Sequence, residues 1–283
     1  MKRLIRIEWL KNYSYFPVIL FSGIYFVLVI GFTLLCSLKS IPILGIAVNI
    51  RDQGFLNFPQ IWNFLTYITA LLKIFLGLII IFTISNEFTA KMFKQNVIDG
   101  LSKKEFILSK VLTIGLLSLI STLVVFLMGL ILGYSFSNTT DFSLVSKEFY
   151  FIFGYFLKLF TFLSFLFFIT VLLKRVVFVF LSVFIWWIIE IILLVVEYSS
   201  KVVEKFDNQG NRITEKPFLL TDYLPLNTMS NLIEEPFQRI RLVSQLTGGS
   251  FEYIIPYGAI VASILYSTLF ILGSYWLVKR KDW

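Results

Sequence analysis

The hydrophobic pattern of the chain is six long apolar runs separated by polar segments. Each run has about 20 residues or more, the length that a helix needs to cross a hydrocarbon core of ~30 Å. The predicted spans are 15–36, 61–85, 108–134, 149–173, 176–196 and 254–278. We therefore predict an all-α membrane protein, with residues 1–283 forming a single transmembrane domain.

The first polar segment, residues 1–14, mixes basic with apolar side chains. Arg3, Arg6 and Lys11 are interleaved with Leu4 and Trp9, a pattern that predicts a short amphipathic helix lying in the membrane interface. A plain basic flank that orients the first span is the alternative. We expect the first span to be retained, because the run exceeds the ~7–15 residues of a signal peptide and lacks a small-residue cleavage site.

The polar stretch 86–110, between the second and third runs, contains signals for a helix stop and restart. Gly100 suits the left-handed position that ends a helix, and Ser102 with Glu105 matches a capping box that starts one. We predict that the second helix leaves the membrane, continues to Asp99, and turns sharply into the third. This charged elbow either docks onto a partner or is an ordinary loop.

A long polar insertion, 197–253, separates the fifth and sixth runs. Its segment 201–215 predicts a hairpin around a glycine-containing turn. Apolar residues recur with helical spacing over 227–246, which predicts an amphipathic helix kinked or restarted at Pro236. We expect the insertion to lie on the outer membrane face or to cap the spans.

The distribution of basic residues predicts the orientation. The chain has 25 Lys and Arg against 17 Asp and Glu, a net charge of +8. With six spans, 14 basic residues fall on the side of the two termini and the elbow, against three in the two short loops of the other side. The positive-inside rule therefore places both termini and the elbow in the cytoplasm.

The residue inventory offers no catalytic, cofactor-binding or metal-binding motif. There is no His, a single Cys (Cys36), and no phosphate-binding loop, G-x-S-x-G or H-E-x-x-H sequence. An intramembrane enzyme is disfavoured, since neither a His nor a pair of mid-membrane carboxylates is available for acid–base work. Nucleic-acid binding is unsupported, because the basic residues are not interleaved with aromatics on a polar domain.

Three charged residues fall inside predicted spans: Lys73, Lys158 and Glu190. Counting along the helices, Lys158 lies ~14 Å, Lys73 ~18 Å and Glu190 ~9 Å from the outer surface. Such charges are costly in a membrane and are usually paired or functional. Two interpretations stay open: a structural pair of Lys158 with Glu190, or a transport pathway lined by all three.

The order of these features resembles the membrane subunit of type-2 ABC exporters. The resemblance covers the whole chain: an N-terminal interfacial helix, an elbow after the second span, an insertion between the last two spans, and a short basic tail. The elbow carries it most clearly, in Asn86-Glu87, in the run from Gly100 to Phe106, and in Ser109-Lys110.

The resemblance implies a complex in the cytoplasmic (inner) membrane, formed by two membrane subunits and two separate ATPase subunits that bind ATP and Mg. The elbow would be the coupling helix that docks onto an ATPase, and Glu87 would orient it at the membrane exit. The residues carried over to ATPase coupling are Asp99, Gly100, Ser102, Lys103, Lys104 and Glu105. The substrate is not predicted, and a stand-alone ion-coupled transporter or channel using the buried charges is the alternative.

Overall fold

The computed structural model of the protein describes residues 2–38, 41–43, 46–48, 54–90, 102–137, 139–201, 205–206, 212–213, 218–236 and 255–280. Within these ranges the chain is mostly helical. The helices are α1 (Lys2–Tyr13), α2 (Phe16–Ser37), α3 (Gln60–Leu71), α4 (Lys73–Thr89), α5 (Lys103–Phe136), α6 (Phe142–Ser146), α7 (Tyr150–Leu173), α8 (Val176–Lys201), α9 (Pro225–Asn231) and α10 (Tyr257–Arg280). Two short antiparallel pairs join β1 (Ile41–Ile43) to β2 (Ile46–Val48) and β3 (Lys205–Phe206) to β4 (Arg212–Ile213).

Five helical segments of the described chain are long and apolar enough to cross a membrane: α2, α5, α6 with α7, α8, and α10. The most apolar 18-residue window in each has a mean hydropathy between 1.7 and 2.8. Helices α3 and α4 meet the same criterion together, with a bend of 40° between them. The predicted helical, multi-pass, membrane-embedded architecture is confirmed, and a sixth span is obtained when the bent pair is counted as one.

The second predicted span is not one straight helix, which corrects the sequence expectation. Thr66 and Thr69 each donate a side-chain hydrogen bond to the carbonyl four residues earlier, at 2.6 Å, a pattern that bends helices. At Leu72 the backbone N–H bonds Thr69 O at 3.0 Å, so the helix tightens into a three-residue turn. Helix α4 restarts at Lys73 and ends at Thr89; the predicted continuation to Asp99 lies outside the described residues.

The centre of the fold is α7. In the apolar window of the span Phe142–Leu173, 72% of the residues are buried, against 17% in α2 and 11% in α8. Helix α7 packs against α3, α4, α5, α8 and α10. Its sequence is apolar on every face, as expected for a helix surrounded by others. The helices that surround α7 therefore present one face to it and leave another for lipid.

Both ends of the bundle can be recognised from contacts. The Lys174 ammonium lies 5.6 Å from the centre of the Phe88 ring, so the α7–α8 turn is close to the end of α4. Lys103 Nζ donates to Lys279 O at 3.3 Å, which joins the start of α5 to the end of α10. We call this end the basic end; α8 runs ~39 Å away from it, at 1.5 Å per residue.

The insertion lies at the opposite end, after α8. The β3–β4 pair aligns Lys205 with Ile213, within the segment predicted as a hairpin. The predicted amphipathic helix 227–246 is only partly matched, because α9 begins at Pro225 and ends at Asn231. Proline is favoured in the first helical turn, which explains the earlier start. Residues 237–254 lie outside the described part of the chain.

Helix α5 packs closely on α3 through Gly129. A Cβ at this position would lie 2.6 Å from Trp62 Cζ3 and 3.1 Å from Trp62 Cε3. The indole cannot easily move away, because it is fully buried and donates a hydrogen bond to Val145 O at 2.8 Å. Glycine is therefore required here by space.

We expect Gly129→Ala to lower the thermal stability of the purified protein in detergent. Overpacking costs about 1–3 kcal/mol, which exceeds the ~1 kcal/mol that alanine gains in helix propensity. Gly31→Ala in α2 is the matched control, since a Cβ there meets nothing within 4 Å. A Gly129→Ala protein that melts at or above the Gly31→Ala temperature would show that the close packing is not limiting.

Candidate functional site

The start of α5 has the predicted cap. Ser102 Oγ accepts a hydrogen bond from Glu105 N at 3.2 Å, and Ser102 N donates to Glu105 Oε2 at 2.9 Å. This reciprocal arrangement confirms the capping box and fixes where the third span restarts. Lys104 is exposed beside it and Lys103 is half-buried. Asp99 and Gly100, the other predicted coupling residues, lie outside the described residues.

A buried charge cluster lies directly behind this cap. Lys110 Nζ is 2.7 Å from Glu8 Oε2 and 2.5 Å from Glu87 Oε1, and the three side chains are only 2–6% exposed. Lys11 Nζ is 3.7 Å from Glu87 Oε1. Ser109 Oγ donates to Glu8 Oε1 at 2.9 Å. We call Glu8, Lys11, Glu87 and Lys110 the basal cluster.

The basal cluster joins three helices that are separate along the chain. Glu8 and Lys11 belong to α1, Glu87 to the last turn of α4, and Lys110 to the second turn of α5. The two helices that flank the predicted elbow are therefore tied to each other and to the N-terminal helix.

The charges of the basal cluster balance, with two carboxylates against two ammonium groups. Burial alone would raise the pKa of the Glu8 carboxyl, but the neighbouring Lys110 and Lys11 ammonium groups and the Ser109 hydroxyl outweigh it and hold that pKa below its ordinary value. Removing one partner would leave an uncompensated buried charge, which is strongly destabilising.

Sequence reasoning missed most of this cluster. It assigned Glu87 to the membrane exit, Lys11 to the interfacial helix and Lys110 to the elbow, and it did not pair any of them with Glu8. Two signals were present: Glu8 is the one acidic residue among the first 14, and Glu87 and Lys110 lie at corresponding ends of two consecutive apolar runs. Such positions place opposite charges at the same depth, where they can pair.

At the opposite end, Glu190 anchors the insertion to α8. Its carboxylate accepts hydrogen bonds from Leu226 N at 3.1 Å and Asn227 N at 2.9 Å, and from Trp186 Nε1 at 2.5 Å. These amides are at the start of α9, where free N–H groups and the helix dipole favour a negative charge. The predicted Lys158–Glu190 ion pair is therefore wrong, because Glu190 has the helix start as its partner.

A second carboxylate of α8, two turns further along the helix, also anchors the insertion. Glu197 accepts hydrogen bonds from Leu220 N and Thr221 N, each at 2.8 Å, and pairs with Lys201 at 2.6 Å. Met229, Leu232 and Ile233 of the following segment are buried in the same hydrophobic core as the spans. The described part of the insertion thus caps the bundle, as one of the two sequence expectations had it.

Lys73 and Lys158 line a cavity of about 670 Å³ beneath this cap. Lys158 Nζ donates a long hydrogen bond, 3.4 Å, to Ser230 O. Lys73 Nζ lies 4.6 Å from the centre of the Phe162 ring, a cation–π contact. Among the described residues, no carboxylate lies within ion-pairing distance of either lysine. The other lining residues are Tyr67, Ala70, Leu71, Tyr198, Leu219, Asp222, Ser230, Asn231, Ile233, Glu234, Glu235 and Pro256.

The three predicted intramembrane charges thus separate into two groups. The two lysines share one cavity, which favours the pathway interpretation for them. Glu190 is a structural anchor whose hydrogen bonds are made within the protein.

Acid should weaken the attachment of α1. The pKa of Glu8 is lowered on folding, so its contribution to stability is complete above the unfolded pKa of ~4.3 and is lost as the pH falls through the lower, folded pKa. We expect the melting temperature to drop between pH 5 and ~3, and Glu8→Gln to reduce that drop while lowering stability at pH 7. Asp141→Asn, an exposed site away from the cluster, should keep the wild-type pH profile.

Glu190→Ala should release the insertion from α8. The half-buried amides of Leu226 and Asn227 would lose their acceptor, at a cost of about 1 kcal/mol, the low end of the range for unsatisfied donors. Limited proteolysis should then cut faster within 218–236, whereas Glu190→Gln, which keeps an acceptor, should be intermediate and Asp141→Asn unchanged. Equal cleavage of all four proteins would rule out an anchoring role.

No protein-family model matches this chain, and a comparison with curated proteins finds no match either. Its function is therefore inferred from its own residues.

Proposed function

We propose that this chain is the membrane subunit of an ATP-driven exporter of the type-2 ABC class. The observation that carries the proposal is the basal cluster, which ties the N-terminal helix to both helices flanking the elbow. A segment that receives force from a partner needs such a fixed base. An ordinary loop between two spans has no need of three helices joined through buried charges.

The order of elements supports the same assignment. Helix α1 precedes the spans, the elbow follows the second, a structured cap lies between the fifth and sixth, and α10 ends in basic residues. Counting α3 and α4 as one broken span gives six. The protein lies in the cytoplasmic (inner) membrane, and by the positive-inside rule its basic end faces the cytoplasm. Both termini and the elbow are therefore cytoplasmic.

Helix α4 links the elbow mechanically to the cavity. It begins at Lys73, which lines the cavity, and carries Glu87 of the basal cluster in its last turn. The two residues are ~21 Å apart along the helix axis. A push on the elbow that tilts α4 about its bend at Leu72 would therefore change the cavity.

The proposed complex contains two ATPase subunits and a second membrane subunit, identical or homologous. The ATPases bind ATP with Mg and supply the chemical energy. Lys103 and Lys104, at the start of α5, offer charges for docking to an ATPase, where electrostatic complementarity sets the register. Asp99 and Gly100 belong to the same predicted contact.

A stand-alone ion-coupled transporter or channel is the second candidate. The specific observation in its favour is the cavity lined by Lys73 and Lys158. It predicts transport by the purified chain without ATP.

The deciding experiment is purification of the tagged chain from its native membrane in mild detergent, followed by mass spectrometry. We expect a stoichiometric ATPase with a phosphate-binding loop, lost when Lys103→Ala, Lys104→Ala and Glu105→Gln are combined. Glutamine can still close the capping box, so the triple variant should keep its fold. A variant with the same net charge change of −1 at the other end, Lys147→Ala, should keep the ATPase.

A chain that purifies alone and moves ions or solutes into liposomes without ATP would contradict the exporter proposal. Retention of the ATPase by the triple variant would instead contradict the docking residues. A further variant that keeps the basal cluster neutral, Glu87→Gln with Lys11→Gln, separates docking from transmission: the ATPase should still co-purify, while ATP-dependent transport falls.

A further inference from the structure

The cavity beneath the cap combines features of a ligand site. Its volume of about 670 Å³ lies within the 300–1,000 Å³ typical of small-molecule pockets. Lys158 is only 6% exposed and Lys73 is half-buried, and both project from apolar helices. Keeping an ammonium group in such a place is costly unless a partner neutralises it. The described chain supplies a weak carbonyl contact to one and an aromatic face to the other.

Charge is segregated by depth within this cavity. Lys158, on α7, is buried, and Lys73, on α4, is half-buried; we call the part of the cavity that these two lysines line its floor. Glu234 and Glu235 are exposed at its rim, and Asp222 is half-buried. Tyr67 OH donates to Glu235 Oε1 at 3.4 Å, which helps to hold that carboxylate at the rim.

This segregation restricts the chemistry of the ligand. An anionic group reaching the floor would meet two ammonium groups. A ligand with only negative charge would also have to pass the two rim carboxylates of Glu234 and Glu235, and a simple cation would be repelled at the floor. A zwitterion matches both parts of the cavity when its anionic group contacts the lysines of the floor and its ammonium group faces the carboxylates of the rim.

We propose that this cavity binds a zwitterionic group whose phosphate or carboxylate contacts Lys73 and Lys158 and whose amine faces Glu234 and Glu235. Two sources carry that chemistry: the headgroup of an ethanolamine phospholipid, and a soluble zwitterion such as phosphoethanolamine. The proposal depends on the cavity alone and does not require the exporter function.

The experiment uses the full chain purified in detergent, with no ATPase present. Binding is measured by calorimetry and by the ligand-induced rise in melting temperature. The probes are O-phosphoethanolamine, dioctanoyl phosphatidylethanolamine, and dioctanoyl phosphatidylglycerol as the anion without an amine. Binding of the first probe only identifies a soluble ligand, and binding of the second only identifies a lipid headgroup; either outcome supports the site.

We expect Lys158→Met and Lys73→Met each to weaken binding of the zwitterionic probe about tenfold or more, as loss of a charge-assisted contact does. Both variants should melt at or above the wild-type temperature without ligand, because an uncompensated buried charge has been removed. If the two lysines had only a structural role, the variants would melt below the wild-type temperature. Lys147→Met, an exposed lysine outside the cavity, should leave binding unchanged.

The rim is tested separately. The double variant Glu234→Gln with Glu235→Gln should lose the preference for phosphatidylethanolamine over phosphatidylglycerol. Failure of both zwitterionic probes to bind the wild-type chain would overturn the proposal. So would binding that survives both lysine variants unchanged.

Discussion

The burial of one ammonium group, that of Lys110, is the constraint on which the rest of the arrangement depends. A lysine 2% exposed is tolerated only because two carboxylates from two other helices converge on it. Their convergence fixes the relative positions of α1, α4 and α5 at the basic end. Because hydrophobic packing between membrane helices is weakly directional, such a polar contact is what sets their register.

The two ends of the bundle use carboxylates in different ways. At the basic end, Glu8 and Glu87 neutralise a cation. At the opposite end, Glu190 and Glu197 accept backbone N–H groups from the cap and hold it to α8. Between the two ends lies a cavity lined by Lys73 and Lys158, and among the described residues neither of these lysines has a carboxylate partner. This contrast makes the cavity the place to look for a ligand.

Local signals predicted local structure well. The run 149–173 corresponds to a helix over Tyr150–Leu173, since a continuous apolar stretch is sufficient to define a span. Ser102 and Glu105 formed the expected cap because all its partners lie within four residues. The bend at Leu72 was missed, although two threonines precede it, because no proline or glycine marks the break.

Long-range pairing was predicted poorly. Depth along a helix placed Lys158 near Glu190, but depth does not tell which way a side chain points or which segment folds back over it. Glu190 found its partners in α9, which a topology of spans and loops does not locate. Glu8 and Lys110 are 102 positions apart, and no periodicity connects them.

The bend at Leu72 has a consequence for biogenesis. Helix α3 alone has 12 residues, or ~18 Å, too short to cross the bilayer, and α4 opens with a lysine. Phe162, whose ring receives that ammonium group, lies on α7 and is synthesised only after α5 and α6 are complete and α7 has begun. The Lys73 ammonium group can therefore meet its aromatic partner only after α7 has been synthesised and has packed beside α4.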